Sequence, residues 1–332
     1  MMKIAVIGGV SSTRVLIEKL FQHGFHEVRV WGYSPEDNSL VSGWSDLKSV
    51  CERFGFRYSP FLRVSSCQEE IAQCSPDLIF AVGLSQIISE ELISIPRLGC
   101  IGFHPTALPK GRGRAAITWL VLERMDGAAS FFILRSGVDD GPIVAQEPFE
   151  VDENDDAKSV EKKLLVAEKK ALDTWLPKLA SGEIGGVEQD HSQASWYGRR
   201  SPEDGWIDWK VTVDELLRLI KASTAPHPGA YTFHEDSIIT IWSAELNSSA
   251  QKGVVGRILQ VFPDQTFLVQ CNDGLLRVTR WQATNSWLPR VGIRLGYYTE
   301  AEVYLLKKKY SELEERIAIL EKLALAASSD AK

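Results

Sequence analysis

The chain is poor in paired cysteines, in long apolar runs and in surplus basic charge. Its five cysteines (Cys51, Cys67, Cys74, Cys100 and Cys271) form an odd, scattered set without CxxC spacing. That removes a disulfide framework and a zinc site from consideration and leaves the thiols as small buried hydrophobes. No segment reaches membrane-spanning length, and the opening "MMKIAVIGGV" enters an apolar run with no basic leader. The expectation is a cytoplasmic protein with no membrane partner. The formal charge is −7 and charges are nearly balanced from residue 200 onward, which argues against a nucleic acid partner. GxSxG, a phosphate P-loop and a reactive cysteine context are all missing, and none of the six histidines has metal-ligand spacing. What is left is proton transfer around a bound, reactive carbonyl.

What is present begins with a core: 332 residues at 44% hydrophobic support about two domains. In the first third, "KIAVIGGV", "EVRVWGYS", "DLIFAVGL" and "CIGFH" read as strands. Between them, "SSTRVLIEKLFQHG", with Ser11 or Ser12 as N-cap, and "SDLKSVCERFG" read as helices. Strand and helix alternating in this way predict an α/β fold, a doubly wound, mostly parallel sheet whose ligands bind at the C-terminal ends of the strands. "IGGVSST" is half a dinucleotide fingerprint and is read as a tight turn. A charged helix over about 157–179 precedes a polar stretch, and five short alternating runs then predict a small OB-like β-barrel. The expected organisation is a first domain over 1–182, a linker over 183–210, the OB-like domain over 211–290 and a C-terminal helix over 298–327. Val303, Leu306, Tyr310, Leu313, Ile317, Leu320 and Ala324 alternate three and four apart in that helix. The seam either docks on its own protein or pairs in a homodimer.

One stretch concentrates chemistry. His104 closes the strand "CIGFH", and Pro105 holds it extended and so gives the imidazole a direction. A crossover through "AAITWLVLERM" to the strand "AASFFILRS" forms a βαβ unit that returns Asp139 or Asp140 to the same sheet edge. The carboxylate would hold one ring nitrogen while the other takes a proton. The remaining histidines, including His191 and His227, read as surface or capping residues.

"FHPTALPKGRGRAAITW" followed by "SFFILRSGVDDGPIVAQ" resembles the folate-dependent formyltransferases, with their Asn-x-His-Pro motif, glycine–arginine loop and later Asp-x-Gly-Pro-Ile. "RRSPEDGWIDW" and "APHPGAY" resemble the hinge and barrel segments of methionyl-tRNA formyltransferase and the sugar N-formyltransferases, the latter being closest in the first two motifs. The resemblance implies a Rossmann-like catalytic domain and transfer of a formyl group from N10-formyltetrahydrofolate to the amine of an amino sugar linked to UDP, dTDP or GDP. It makes His104 the base and Asp139 its carboxylate partner, and implies that Gln86, Ile87 and Ile88 hold the pterin together with Asp139. Lys110, Arg112 and Arg114 would meet the anionic acceptor from a glycine-softened, mobile loop, with Arg200 as a further contact. Methionyl-tRNA formyltransferase activity, or a catalytically weakened binding or assembly homologue, are the alternatives. The sequence departs from the family at Gly102, which stands where relatives carry the asparagine that helps bind the developing oxyanion. The His104 imidazolium, a main-chain amide exposed by Gly102, a water or the Gln86 amide are the possible replacements.

Overall fold

The computed structural model describes residues 1–38 and 41–329. It divides into one unit of residues 1–206, 214–230 and 241–244, and a second of 207–213, 231–240 and the described chain from 245 onward. In chain order the first unit holds β1 (Ile4–Gly8), α1 (Ser11–Gln22), β2 (Val28–Tyr33), α2 (Leu47–Phe54), β3 (Arg57–Phe61), α3 (Gln68–Cys74), β4 (Leu78–Val82), α4 (Glu90–Ile93) and β5 (Cys100–Thr106). These are followed by β6 (Arg112–Gly113), α5 (Ala116–Glu123), β7 (Gly127–Ile133), β8 (Ile143–Phe149), α6 (Ala157–Ala180), β9 (Trp196–Tyr197) and α7 (Val213–Ser223).

Seven strands form one sheet in the order β3-β2-β1-β4-β5-β7-β8. β1, β2, β3, β4 and β5 pair in parallel, and every residue of β1 and β4 is buried, as expected of strands covered on both faces. α1, α2 and α6 close one face over Leu16, Leu20, Phe80, Phe131 and Trp175, while Trp31, Ile71 and Leu92 pack on the other. Because β1 pairs with β2 on one side and β4 on the other, the strand order reverses there, and such sheets open a ligand crevice at that point. Four of the five cysteines are buried and all are free, and burial pushes the Cys51, Cys100 and Cys271 thiols up to about 12. These thiols are packing groups.

The structure corrects two local readings. β7 runs antiparallel to β5, and β8 antiparallel to β7, so no parallel crossover returns to the sheet beside β5. α5 lies in this connection, and Asp139 arrives instead in the turn of the β7–β8 hairpin. At α1 neither Ser11 nor Ser12 is the cap. Helical structure already starts at Ser11, and the Thr13 hydroxyl accepts from the Gly9 and Val10 amides while donating to the Val82 carbonyl at 2.7 Å. That bond ties the turn after β1 to the end of β4. By contrast, Asp46 caps α2 and Gly55 closes it in a left-handed conformation, as capping rules require.

The second unit is built on β10 (Ala230–His234), β11 (Ser237–Asn247), β12 (Ile258–Val261), β13 (Phe267–Gln270) and β14 (Leu275–Ala283), followed by α8 (Thr299–Ser329). The strands form a sheet in the order β10-β11-β14-β13-β12, with β13 antiparallel to both β12 and β14, at the positions of the five alternating runs. No helix among the described residues is long and apolar enough to cross a membrane.

Glu168, in the middle of α6, is fully buried, and neither carboxyl oxygen makes a hydrogen bond of good geometry. Burial pushes its pKa well above the usual range, with the Ser12 hydroxyl and the Lys169 charge pulling the other way. A carboxyl whose folded pKa is raised costs stability as pH climbs from its unfolded pKa through its folded one. Thermal unfolding of Glu168→Gln should therefore show a gain over wild type that is absent near pH 4 and grows toward pH 8. A difference independent of pH would contradict a neutral buried acid.

Candidate functional site

A cleft of about 520 Å³ opens in the first unit at the reversal point of the sheet. Its wall is formed by Val10 and Ser12 after β1, by residues 83–87 after β4, by His104 on β5, and by Val138 and Asp139 from the β7–β8 turn. His104 is buried, only 6% exposed. Its Nε2 lies 2.8 Å from the Gly111 carbonyl oxygen, and since a carbonyl can only accept, that nitrogen carries the proton. Nδ1 lies 3.6 Å from Asp139 Oδ2, and in the neutral ring it holds the lone pair. The geometry reverses part of the sequence expectation. The backbone, rather than the carboxylate, fixes the tautomer, and the basic nitrogen is the one that faces Asp139.

Asp139 is itself held. Its Oδ2 accepts the Gly113 amide at 2.8 Å, and its backbone adopts φ +51°, a left-handed conformation uncommon outside glycine and the short polar residues. The glycine–arginine loop is tied down at several points. β6 pairs with β9, and a Cβ on Gly113 would stand 2.4 Å from the Tyr197 carbonyl oxygen at a φ of +107°. Glycine is there for close approach and for backbone shape, not for adaptability.

The predicted residues separate accordingly. Arg112 turns away from the cleft: it is 3% exposed and places its guanidinium on Gln189 Oε1 at 2.7 and 3.2 Å, with His191 Nδ1 at 3.1 Å. Gln189 in turn donates to the Asp139 and Gly141 carbonyls, so Arg112 braces the turn that carries the carboxylate instead of meeting an acceptor. Arg114 lines the cleft, with its guanidinium on the Ser85 carbonyl. Lys110 is exposed and outside the lining. Arg200 is also outside it, over the Trp119 ring at 5.4 Å and bonded to the Asp204 carbonyl.

In the loop after β4, Ile87 projects into solvent at the cleft, 91% exposed, while Ile88 packs against the core around Ile71 and Leu92. Gln86 lines the cleft, but its amide is committed to the Leu62 carbonyl and the Val64 amide. One of its two N–H donors is thereby used. Ser89 begins the short helix α4 as its cap.

Gly102 leaves no room for a side chain, since a Cβ there would meet Leu134 Cδ2 at 2.7 Å and Phe132 Cζ at 2.8 Å. The site is packed shut where the family motif carries its amide.

Sequence reasoning missed His227, which lines the cleft between Ser42 Oγ at 3.0 Å and Thr118 Oγ1 at 3.3 Å. Burial, and then the Arg200 charge, lower its pKa, so it is neutral at pH 7. The signal was available: His227–Pro228 repeats the His-Pro pairing of His104–Pro105. Among described residues, two cleft histidines are thus each followed by proline.

A family profile described as formyl transferase matches residues 2–176, and one described as formyl transferase, C-terminal domain, matches residues 199–286. HypX from Aquifex aeolicus, solved with tetrahydrofolic acid, is similar at 17% identity over 88% of this chain and 46% of its own, with a TM-score of 0.62. This chain thus spans a little under half of HypX. An N-formyltransferase from Helicobacter canadensis, solved with folinic acid and dTDP-3-aminofucose, shares 16% identity over 85% of this chain and all of its own, at a TM-score of 0.63. A 4-N formyltransferase from Francisella tularensis shares 18% identity over 69% of this chain and 91% of its own, at 0.55.

Two stability measurements test the packing described here. Arg112→Ala should lower unfolding free energy by about 1–3 kcal/mol, the cost of leaving buried partners unsatisfied. Gly102→Asn should cost a similar amount, about 1–3 kcal/mol, through overpacking against Phe132 and Leu134. Wild-type stability in either variant would contradict the contacts.

Proposed function

The chain belongs to the formyl transferase family, and on that premise we propose that it moves a formyl group from N10-formyltetrahydrofolate to the primary amine of a nucleotide-linked amino sugar. The observation that carries this reading is His104 Nδ1 facing Asp139 Oδ2 at 3.6 Å on the wall of the cleft. The folate supplies the formyl group; the chain supplies position and proton transfer. The amine nitrogen attacks the formyl carbon, and His104 Nδ1 takes the proton that nitrogen sheds. Asp139 steadies the charged ring, the bond from formyl carbon to the donor nitrogen breaks, and the proton passes to that departing nitrogen. Holding the two substrates at attacking distance in one cleft converts a bimolecular encounter into an internal step.

Several features of the cleft support this assignment. Exposed Ile87 and Val138 border it and offer an apolar surface for a flat pterin, while Arg114 offers a forked cation for a diphosphate. Ser42, Thr118 and the neutral His227 present uncharged polar atoms suited to sugar hydroxyls. With glycine at position 102, the imidazolium of His104, a main-chain amide, a water or the second N–H of the Gln86 amide has to meet the developing oxyanion. We assign catalysis to residues 1–182, with 183–210 as linker, 211–290 as the OB-like domain and 298–327 as the terminal helix. Five unpaired thiols fit a reducing compartment, which supports placing the protein in the cytoplasm.

The test is formyl release from N10-formyltetrahydrofolate with UDP-, dTDP- and GDP-linked amino sugars, and with charged methionyl-tRNA as the contrasting acceptor. Turnover is expected with a nucleotide sugar and not with the tRNA; turnover with the tRNA alone would replace the substrate class. No turnover with any acceptor would leave a binding homologue. His104→Ala should lower kcat by about 10²–10⁴-fold. Arg114→Ala should raise KM by about tenfold with kcat nearly unchanged, and Lys110→Ala should do neither.

A further inference from the structure

The helix α8 is 31 residues long, about 46 Å at the α-helical rise, and its apolar seam is covered by none of the described residues. Leu306 is 63% exposed, Leu313 53%, Ile317 53% and Leu320 62%, so the docking of this seam on its own chain is not what the described residues show. We propose that α8 pairs with α8 of a second copy of this chain in a parallel, two-stranded coiled coil.

Three features of the sequence on this helix select that occupant. The seam alternates spacings of three and four over three heptads, with Val303, Tyr310 and Ile317 at the a positions and Leu306, Leu313 and Leu320 at the d positions. Val303 and Ile317 are β-branched at a, Tyr310 is not, and all three d residues are leucine; β-branched residues at a with leucine at d favour a two-stranded parallel pair. The flanking charges agree. In a parallel pair each g residue faces the e residue five positions later on the other helix. Here the facing pairs are Glu302 with Lys307, Lys309 with Glu314, and Arg316 with Glu321. All three are of opposite sign, and symmetry repeats each one. An antiparallel pair sets g against g and e against e, which mixes opposite-sign contacts (Glu302 with Arg316, Lys307 with Glu314) with like-sign ones (Lys309 with a second Lys309 or with Arg316). The parallel arrangement, in which all three facing pairs are of opposite sign, is the better matched.

Sedimentation equilibrium of the full chain should give twice the 37.0 kDa chain mass. The double substitution Leu313→Glu/Leu320→Glu should give the single-chain mass with formyl-transfer activity per chain unchanged. A wild-type monomer, or a dimer that survives this substitution, would overturn the proposal. Orientation is read from Leu306→Cys, near one end of the helix: oxidation should cross-link it between copies while the wild type stays uncross-linked. A dimer that does not cross-link would overturn the parallel arrangement. Lys309→Glu should weaken the dimer by about tenfold or more at low salt, and adding Glu314→Lys should restore it. A double variant as weak as the single one would refute the pairing.

Discussion

The hydrogen bond from His104 Nε2 to the Gly111 carbonyl is the constraint on which the site rests. It decides which nitrogen of the ring is basic, and so where a substrate must deliver its proton. Both ends of the arrangement come from one loop. Gly111 supplies the acceptor for Nε2, and Gly113, two residues on, supplies the amide that holds Asp139 opposite Nδ1. A loop that moved would lose the tautomer and the carboxylate together. This accounts for the close packing on Tyr197, the β6–β9 pairing and the buried Arg112–Gln189 brace behind the Asp139 turn.

Burial gives that arrangement its electrostatic leverage. A charge formed on a ring that is 6% exposed is poorly solvated by water, so the facing carboxylate matters more there than it would on the surface. At 3.6 Å the separation is longer than a hydrogen bond, so Asp139 acts on the ring by charge. Among the described residues, Arg114 is the one arginine lining the cleft with this acidic corner.

Much of the fold was legible because local signals and burial agreed. The apolar runs of β1 and β4 and the helical pattern of "SDLKSVCERFG" each pointed to what formed. The antiparallel turn of β7 was not legible, because a short helix between two apolar strands reads like a crossover until pairing fixes the direction. His104 and Asp139 could be picked out by motif, yet the role of Gly111 could not, since a main-chain acceptor leaves no residue-type signature. Arg112 and Arg114 look alike in "GRGRA", and only the β6–β9 pairing buries one and leaves the other at the cleft. The heptad of α8 was visible in the letters; that none of the described residues covers it required coordinates.

The most direct test of the central claim is the ¹⁵N spectrum of the His104 ring in the folded protein at a pH where the ring is neutral. The account predicts the tautomer with the proton on Nε2 and the lone pair on Nδ1. A ring protonated on Nδ1 under those conditions would contradict it, because Gly111 would then not fix the imidazole and the nitrogen facing Asp139 could not take a proton.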